Sequence, residues 1–107
     1  MATATPAATA PKPMPDRGPS FDCRTNRGFV EQVVCAQPEL SAKDRQLASL
    51  YSRLRSNLDG QRLRALIAAQ KEWLHSRDSC GNPNINACIA RLYDQSIGQL
   101  EKMLSYR

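Results

Sequence analysis

The sequence has 107 residues, a net charge of +5 and four cysteines, which fit one small domain with a modest hydrophobic core. No apolar run approaches the roughly 20 residues of a membrane-spanning helix, and one histidine excludes a metal site built on a histidine pair. The cysteines form no C-x-x-C pair, so they favour two disulfides over a zinc site and a periplasmic or extracellular location.

Residues 1–20 consist mainly of Ala, Thr and Pro and contain almost no large apolar side chain. Such a segment cannot bury enough surface to offset the entropy of ordering it. We therefore predict a disordered tether over 1–20, of the kind that follows a cleaved signal or a lipid anchor. A cloning remnant is the alternative for part of it. A four-cysteine helical domain is predicted over 21–107.

The first helix of that domain is predicted to be short. A continuous helix from Cys23 to Cys35 would separate them by roughly 18 Å, whereas bridged cysteines need α-carbons within about 7 Å. If these two pair, Cys23 lies in an extended lead-in along the helix. Thr25 or Asn26 is the candidate cap, and Glu31 is expected to face solvent. The expected buried positions are Phe29, Val30, Val33 and Val34.

The second helix is predicted to start at Pro38 and to end at Asp59-Gly60, because proline suits a first turn and glycine commonly follows a helix end. Its apolar positions recur at three- and four-residue spacing, with one aspartate among them. The face comprises Leu40, Asp44, Leu47, Tyr51, Leu54 and Leu58.

The third helix, from about Gln61 to Ser79, contains the only tryptophan and is interpreted as the central helix of the bundle. The short turn before it makes it antiparallel to the second helix. Counting outward from this turn places Asp44 opposite Arg77, so we predict a partly buried ion pair between them. The predicted stripe is Leu63, Leu66, Ile67, Gln70, Trp73, Leu74 and Arg77.

A turn at residues 81–84 separates Cys80 from Cys88, and the last helix follows. We predict the local disulfides Cys23–Cys35 and Cys80–Cys88. The alternative links Cys35 to Cys80 or Cys88, because all these positions lie at one end of the bundle. The last helix buries Ile89, Leu92, Tyr93, Ile97, Leu100 and Leu104. The predicted core includes Leu47, Tyr51, Gln70, Trp73, Leu74 and Tyr93.

The predicted fold is thus all-α: a small disulfide-stapled bundle of three long antiparallel helices and one short N-terminal helix. A fixed order of residues runs through these elements: Phe21-Asp22-Cys23, Glu31, Cys35, Pro38-Glu39-Leu40, Asp44, Leu47, Tyr51, Gln70, Trp73, Leu74, Arg77, Asp78, Cys80, Cys88 and Leu92-Tyr93. This order, from Phe21 to about Leu104, resembles the lysozyme inhibitor LprI-like domain family. The resemblance implies a secreted or periplasmic, sometimes lipid-anchored, non-enzymatic domain whose partner is a lysozyme-like enzyme.

The residues themselves also argue against an enzyme. His75 has no second ligand or nucleophile in its stripe, disulfide-bonded cysteines are not nucleophiles, and no glycine-rich phosphate loop occurs. We therefore expect no catalytic residue, metal or cofactor. The function predicted first is binding or inhibition of an envelope or extracellular protein.

Docking on an anionic polymer, lipid surface or acidic protein is the second hypothesis, because the end of the bundle opposite the cysteines collects cations. The candidate binding residues at this end are Arg53, Arg55, Arg62, Arg64, Lys102 and Arg107. A nucleic acid partner is the third hypothesis and has the least support, since the chain has neither a recognition-helix motif nor many aromatic residues to stack bases. Oligomeric state is not predicted.

Overall fold

A computed structural model of the protein describes residues 18–25 and 28–105. All regular secondary structure in this part of the chain is helical, in the order α1 (Phe29–Ala36), α2 (Pro38–Asn57), α3 (Gly60–Asp78) and α4 (Ile85–Ser105). The all-α prediction of three long helices and one short helix is confirmed.

The start of α1 differs from the predicted one. Gly28 is the cap residue, and its backbone N–H donates to Glu31 Oε1 at 3.2 Å. Glu31 is therefore half-buried at the helix start, whereas we had expected it to face solvent. Val30 and Val34 are buried, but Phe29 is 59% exposed. The alternative cap Asn26 lies outside the described residues.

Pro38 occupies the first turn of α2, where its missing N–H costs no hydrogen bond. The fully buried Ser41 hydroxyl donates to the Val34 carbonyl at 2.7 Å and fixes α1 against α2. The α2–α3 turn places Gly60 at φ +56°, a left-handed conformation that favours glycine. Gly60 is thus the first residue of α3 instead of following the end of α2.

The core lies mainly between α1, α2 and α4. Within the described residues, α3 contributes only Leu66 to the buried apolar set, so our interpretation of it as the central helix was wrong. Instead, α4 packs along α2 and also meets α3, and Tyr93 of α4 is completely buried. The buried apolar residues are Val30, Val34, Leu40, Leu47, Leu50, Leu54, Leu66, Cys80, Ile85, Ile89, Tyr93, Ile97 and Leu100.

Most of the predicted core residues have an interior position, but one does not. Leu47 and Tyr93 are buried, and Tyr51, Gln70 and Trp73 are half-buried. Leu74 is 37% exposed, so its prediction as a core residue was wrong. Its helix stands apart from α2, and little of α2 is close enough to cover it.

Most of the tether predicted over residues 1–20 lies outside the described residues. Residues 18–20 are described, and they run along α2. The Gly18 carbonyl accepts a hydrogen bond of 2.6 Å from Arg45, and Ser20 bonds to Asp44. The segment just before Phe21 therefore takes part in the packing of α2.

Both local disulfides are present, Cys23–Cys35 with α-carbons 5.9 Å apart and Cys80–Cys88 with α-carbons 5.8 Å apart. This pairing confirms the local connectivity over the alternative that joins the two halves of the chain. The first bridge ties the N-terminal segment to α1, and the second closes the connection between α3 and α4.

Candidate functional site

Three helices meet at the hydroxyl of Tyr93. The hydroxyl donates to Asp44 Oδ1 of α2 at 2.7 Å, and the Tyr93 hydroxyl oxygen accepts from Arg77 Nη1 of α3 at 3.2 Å. The predicted direct Asp44–Arg77 ion pair is therefore wrong, although both residues are buried at the same level of the bundle. The Tyr93 ring from α4 enters between them and joins the two charges through its hydroxyl.

The carboxylate of Asp44 has partners on both oxygens. Its Oδ2 accepts the backbone N–H and the hydroxyl of Ser20, each at 2.6 Å. Burying a carboxylate is costly unless it is hydrogen-bonded, and these contacts compensate for that cost. Asp44 thereby connects the segment before Phe21 to the centre of the bundle.

Arg77 is also satisfied at several atoms, with only 3% of its side chain exposed. Its Nε and Nη2 donate to Asp78 Oδ1 at 3.0 and 2.8 Å, and Nη2 lies 3.6 Å from Glu31 Oε2 of α1. The guanidinium carbon lies 5.9 Å from the ring centroid of Trp73. One arginine therefore links α3 to α1 and α4.

Burial raises the pKa of the Tyr93 hydroxyl above its usual value, and the charge of the adjacent Asp44 carboxylate raises it further. The hydroxyl therefore remains protonated at ordinary pH and donates a hydrogen bond to Asp44. This state suits a structural bridge, because a phenolate beside a carboxylate would be repelled.

Trp73 is half-buried and has a structural partner for its one polar atom. The indole Nε1–H donates to the Leu92 carbonyl of α4 at 2.9 Å. Its ring meets that of Tyr93 edge to face, with centroids 4.9 Å apart. This geometry fixes α3 against α4 and supports the interpretation of Trp73 as part of the core.

Two clefts flank α3 because it stands away from α2. The α2–α3 cleft has a volume of about 390 Å³, and Leu47 and Tyr51 on one wall face Trp73 and Leu74 on the other. The α3–α4 groove has a volume of about 600 Å³ and is lined by Leu54, Leu58, Arg62, Ala65, Leu66, Ala69, Gln70, Trp73, Ser96, Gln99, Leu100 and Met103. Both openings are long surfaces that a partner or a ligand could contact.

The basic pole comprises the end of α2, the start of α3 and the last turn of α4. All five of its described candidate residues are exposed, and none of them forms an ion pair with another described residue. They are Arg53, Arg55, Arg62, Arg64 and Lys102. Arg107 lies outside the described residues, and Arg55 lies 5.9 Å from the centroid of the Tyr51 ring. The nearby acids Asp59 and Glu101 are exposed as well.

No group of three or more potential metal-ligating side chains occurs within residues 18–25 and 28–105. The exposed side chain of His75 forms no hydrogen bond with another described residue, and its backbone carbonyl accepts the Ser79 hydroxyl at 2.9 Å and the Ser79 N–H at 3.1 Å. In the same part of the chain, no helix has both the length and the apolar character required to cross a bilayer.

A family model described as lysozyme inhibitor LprI matches residues 23–100. This span contains both disulfides and the whole Asp44–Tyr93–Arg77 junction. The chain belongs to the LprI family. The resemblance noted in the sequence is therefore confirmed, and it extends through most of α4.

Proteins named Lipoprotein LprI from Mycobacterium bovis and from two strains of Mycobacterium tuberculosis are 32% identical to this LprI-family chain over 87 residues. The alignment covers 80% of this chain and 43% of each relative, so the chain spans less than half the length of these proteins. No solved structure matches the chain significantly.

Sequence reasoning missed several contacts in this LprI domain. Ser96 lies three residues after Tyr93 on the buried stripe of α4, so its spacing could have identified it as a polar residue facing inward. Glu31 follows Gly28 by three residues, which is the spacing of a capping box. The Ser20–Asp44 contact has no comparable signal, because the two residues are 24 positions apart and Ser20 lies outside any helix.

Proposed function

We propose that this chain is a non-enzymatic, extracytoplasmic domain that binds and inhibits a lysozyme-like glycoside hydrolase. The observation that supports this most is the match to the lysozyme inhibitor family over residues 23–100. The matched span carries the buried core residues and both disulfides of this chain. Because the alignment covers only 43% of each relative, the proposal concerns this domain rather than the whole of those proteins.

The extracytoplasmic location is supported by two independent observations. Both disulfides are formed, and such bonds persist mainly in oxidising compartments. The related mycobacterial proteins are named lipoproteins, which fits attachment to an envelope surface. We infer that the domain acts outside the cytosol, held there by residues that precede α1.

The basic pole is the surface we propose for contact with the enzyme. Glycoside hydrolases of this type carry two carboxyl groups that flank the scissile bond in their cleft. Arginine presents planar donors that match carboxylate geometry, and Arg55, Arg62 and Arg64 are exposed without an ion-pair partner among the described residues. With a net charge of +5, the chain gains no long-range attraction to a cationic lysozyme, so the contact must be local.

Inhibition is tested by titrating the oxidised protein into an animal lysozyme and a phage lysozyme while the lysis of cell walls is followed. We expect inhibition of at least one enzyme, with a matching affinity by calorimetry. The variant with Arg55→Glu, Arg62→Glu and Arg64→Glu should lose it. A control with Arg24→Glu, Lys71→Glu and Arg91→Glu changes net charge equally on exposed residues outside the pole, and it should retain inhibition.

Absence of inhibition and of binding with every lysozyme tested would overturn the proposed function. Equal loss in the two triple variants would show that net charge matters but that the basic pole is not the contact. Loss in the pole variant alone, with an unchanged melting temperature, would support both parts of the proposal.

Docking of the basic pole on an anionic envelope surface is the second candidate, favoured by its five exposed cations without acidic partners in the described part of the chain. Vesicles of phosphatidylglycerol should then bind the protein, whereas phosphatidylcholine vesicles should not. Binding should weaken steeply between low and physiological salt, because exposed charges are screened over about 8 Å at physiological ionic strength. No difference between the two kinds of vesicle would contradict this candidate.

A further inference from the structure

The middle section of the α3–α4 groove is mainly apolar, although the exposed Gln99 of α4 also lines it. Leu54 of α2, Leu66 of α3 and Leu100 of α4 are buried in its floor, and Ala65 and Ala69 line it from α3. The small alanine side chains leave the groove open where larger residues would fill it. Its volume of about 600 Å³ is within the range of sites that hold small ligands.

Two polar residues lie near the inner end of the groove, next to Trp73. Ser96 is only 5% exposed, and its hydroxyl forms no hydrogen bond within residues 18–25 and 28–105. A helical serine often donates to the carbonyl four residues earlier, but here that carbonyl belongs to Leu92 and accepts Trp73 Nε1. The half-buried Gln70 lines the same end of the groove. A buried hydroxyl without a partner requires water or a ligand atom.

The outer end of the groove is cationic. Arg62 lines it together with Leu58 and Met103, and the other described residues of the basic pole lie outside the lining. Along α3, Arg62 and Gln70 are eight residues apart, which corresponds to about 12 Å at the rise of an α-helix. The groove therefore offers a positive charge, about 12 Å of apolar surface and then hydrogen-bonding groups.

We propose that the α3–α4 groove binds a medium-chain fatty acid. The carboxylate pairs with Arg62, and the alkyl chain covers Ala65, Leu66 and Ala69. The chain ends before Ser96 and Gln70, whose polar groups keep water. An extended peptide fits less well, because its backbone groups would need hydrogen-bond partners along the apolar middle section. The length of that section is close to that of an extended decanoate molecule.

Trp73 lines the groove and is the only tryptophan, so its fluorescence reports occupancy in the intact, oxidised protein. We expect a saturable change on titration with decanoate below its micelle concentration, and a melting temperature that rises with ligand. Affinity should increase about fourfold per methylene from hexanoate to decanoate and level off towards palmitate. A constant increase per methylene through palmitate, or no saturable binding, would overturn the proposal.

Filling the groove tests its location. Ala69→Phe and Ala65→Phe should each abolish decanoate binding, whereas Ala68→Phe, on an exposed residue of α3 outside the groove, should not. All three substitutions are at exposed positions, and a melting temperature for each confirms folding. Equal effects of Ala68→Phe and Ala69→Phe would exclude the groove as the site, as would retention of binding in both groove-filling variants.

The headgroup is tested with decanol and with Arg62→Gln. An exposed charge pair contributes modestly, so Arg62→Gln should weaken decanoate binding about two- to fivefold and leave decanol binding unchanged. Arg64→Gln, on an exposed residue outside the groove, is the control and should change neither. Decanol binding as tight as that of decanoate would contradict the assigned role of Arg62.

Discussion

Tyr93 is the residue on which the packing of α2, α3 and α4 depends most directly. Its ring is fully buried, contacts Trp73 edge to face, and carries the hydroxyl that lies between Asp44 and Arg77. A neutral hydroxyl can donate to the carboxylate and accept from the guanidinium at the same time. Tyrosine is therefore suited to this position in a way that phenylalanine is not.

Replacing Tyr93 with phenylalanine should lower the free energy of unfolding by about 1–3 kcal/mol, since it leaves two charged groups without one of their buried hydrogen bonds. The matched control is Tyr51→Phe. Tyr51 is half-buried, and its hydroxyl forms no hydrogen bond among the described residues, so we expect a change within about 0.5 kcal/mol. Urea unfolding measures both variants. Equal stability of the two would mean that the Tyr93 hydroxyl contributes nothing.

The sequence predicted that Asp44 and Arg77 lie at one level, but not that a third side chain separates them. Helical spacing places residues on a face and counting from a turn gives their height. Neither quantity measures the distance between two helices, and that distance decides whether two charges touch. Here α4 lies against α2, so the Tyr93 ring occupies the space that a direct pair would need.

At the scale of elements, α3 is the helix for which sequence periodicity was least informative. Trp73 and Leu74 share its apolar stripe, yet Trp73 contacts Tyr93 and the Leu92 carbonyl while Leu74 faces the open α2–α3 cleft. A stripe identifies the side of a helix that turns inward but not which positions on it are covered. The bounds of α2 and α3 were each predicted to within about two residues, because proline, glycine and the apolar repeats mark them, whereas no bounds were predicted for α4.

This difference predicts unequal effects of two truncations on α3. Trp73→Ala should cost about 3–5 kcal/mol, as is typical for removal of a large packed aromatic side chain. Leu74→Ala should cost less than about 1 kcal/mol, because Leu74 is already 37% exposed. Thermal and urea unfolding of both variants provide the comparison. A larger loss for Leu74→Ala would mean that the α2–α3 cleft is closed in solution.

The turn between α2 and α3 allows a test with two glycines. Gly60 has φ +56°, so Gly60→Ala should destabilise the protein by about 1–2 kcal/mol. Gly98 lies within α4, and an added Cβ would meet no atom within 4 Å. Gly98→Ala should therefore stabilise by about 0.5–1 kcal/mol, because alanine favours a helix interior. Denaturant unfolding should give opposite signs, and the same sign for both would contradict this assignment.

For the whole molecule, cysteine spacing predicted the disulfide connectivity better than apolar periodicity predicted the packing of the helices. Short separations along the chain made both local bridges geometrically easy, and both are present. The two clefts beside α3 were not predicted, because an opening between helices results from side-chain volumes on three elements at once. Ala65 and Ala69 illustrate this. Their small side chains leave an open groove only because α2 and α4 are positioned so that no other side chain fills the space.

The two disulfides should contribute similar stability but act on different parts of the molecule. Removing either by a double Cys→Ala substitution should cost about 3 kcal/mol by the loop-entropy relation. The Cys80–Cys88 bridge closes the connection from α3 to α4, and α3 has little other packing. We therefore expect its loss to increase hydrogen exchange selectively in α3.

The control for this effect is the variant that lacks Cys23–Cys35, a bridge that ties the N-terminal segment to α1. There, exchange should rise in α1 while α3 keeps its protection, because the Cys80–Cys88 bridge still holds the end of α3 to the start of α4. Elements held by few buried contacts open locally most easily. Without the Cys80–Cys88 disulfide, α3 should therefore be the first long helix to open. Uniform exchange across α2, α3 and α4 in the Cys80 and Cys88 variant would show that the domain opens as one cooperative unit.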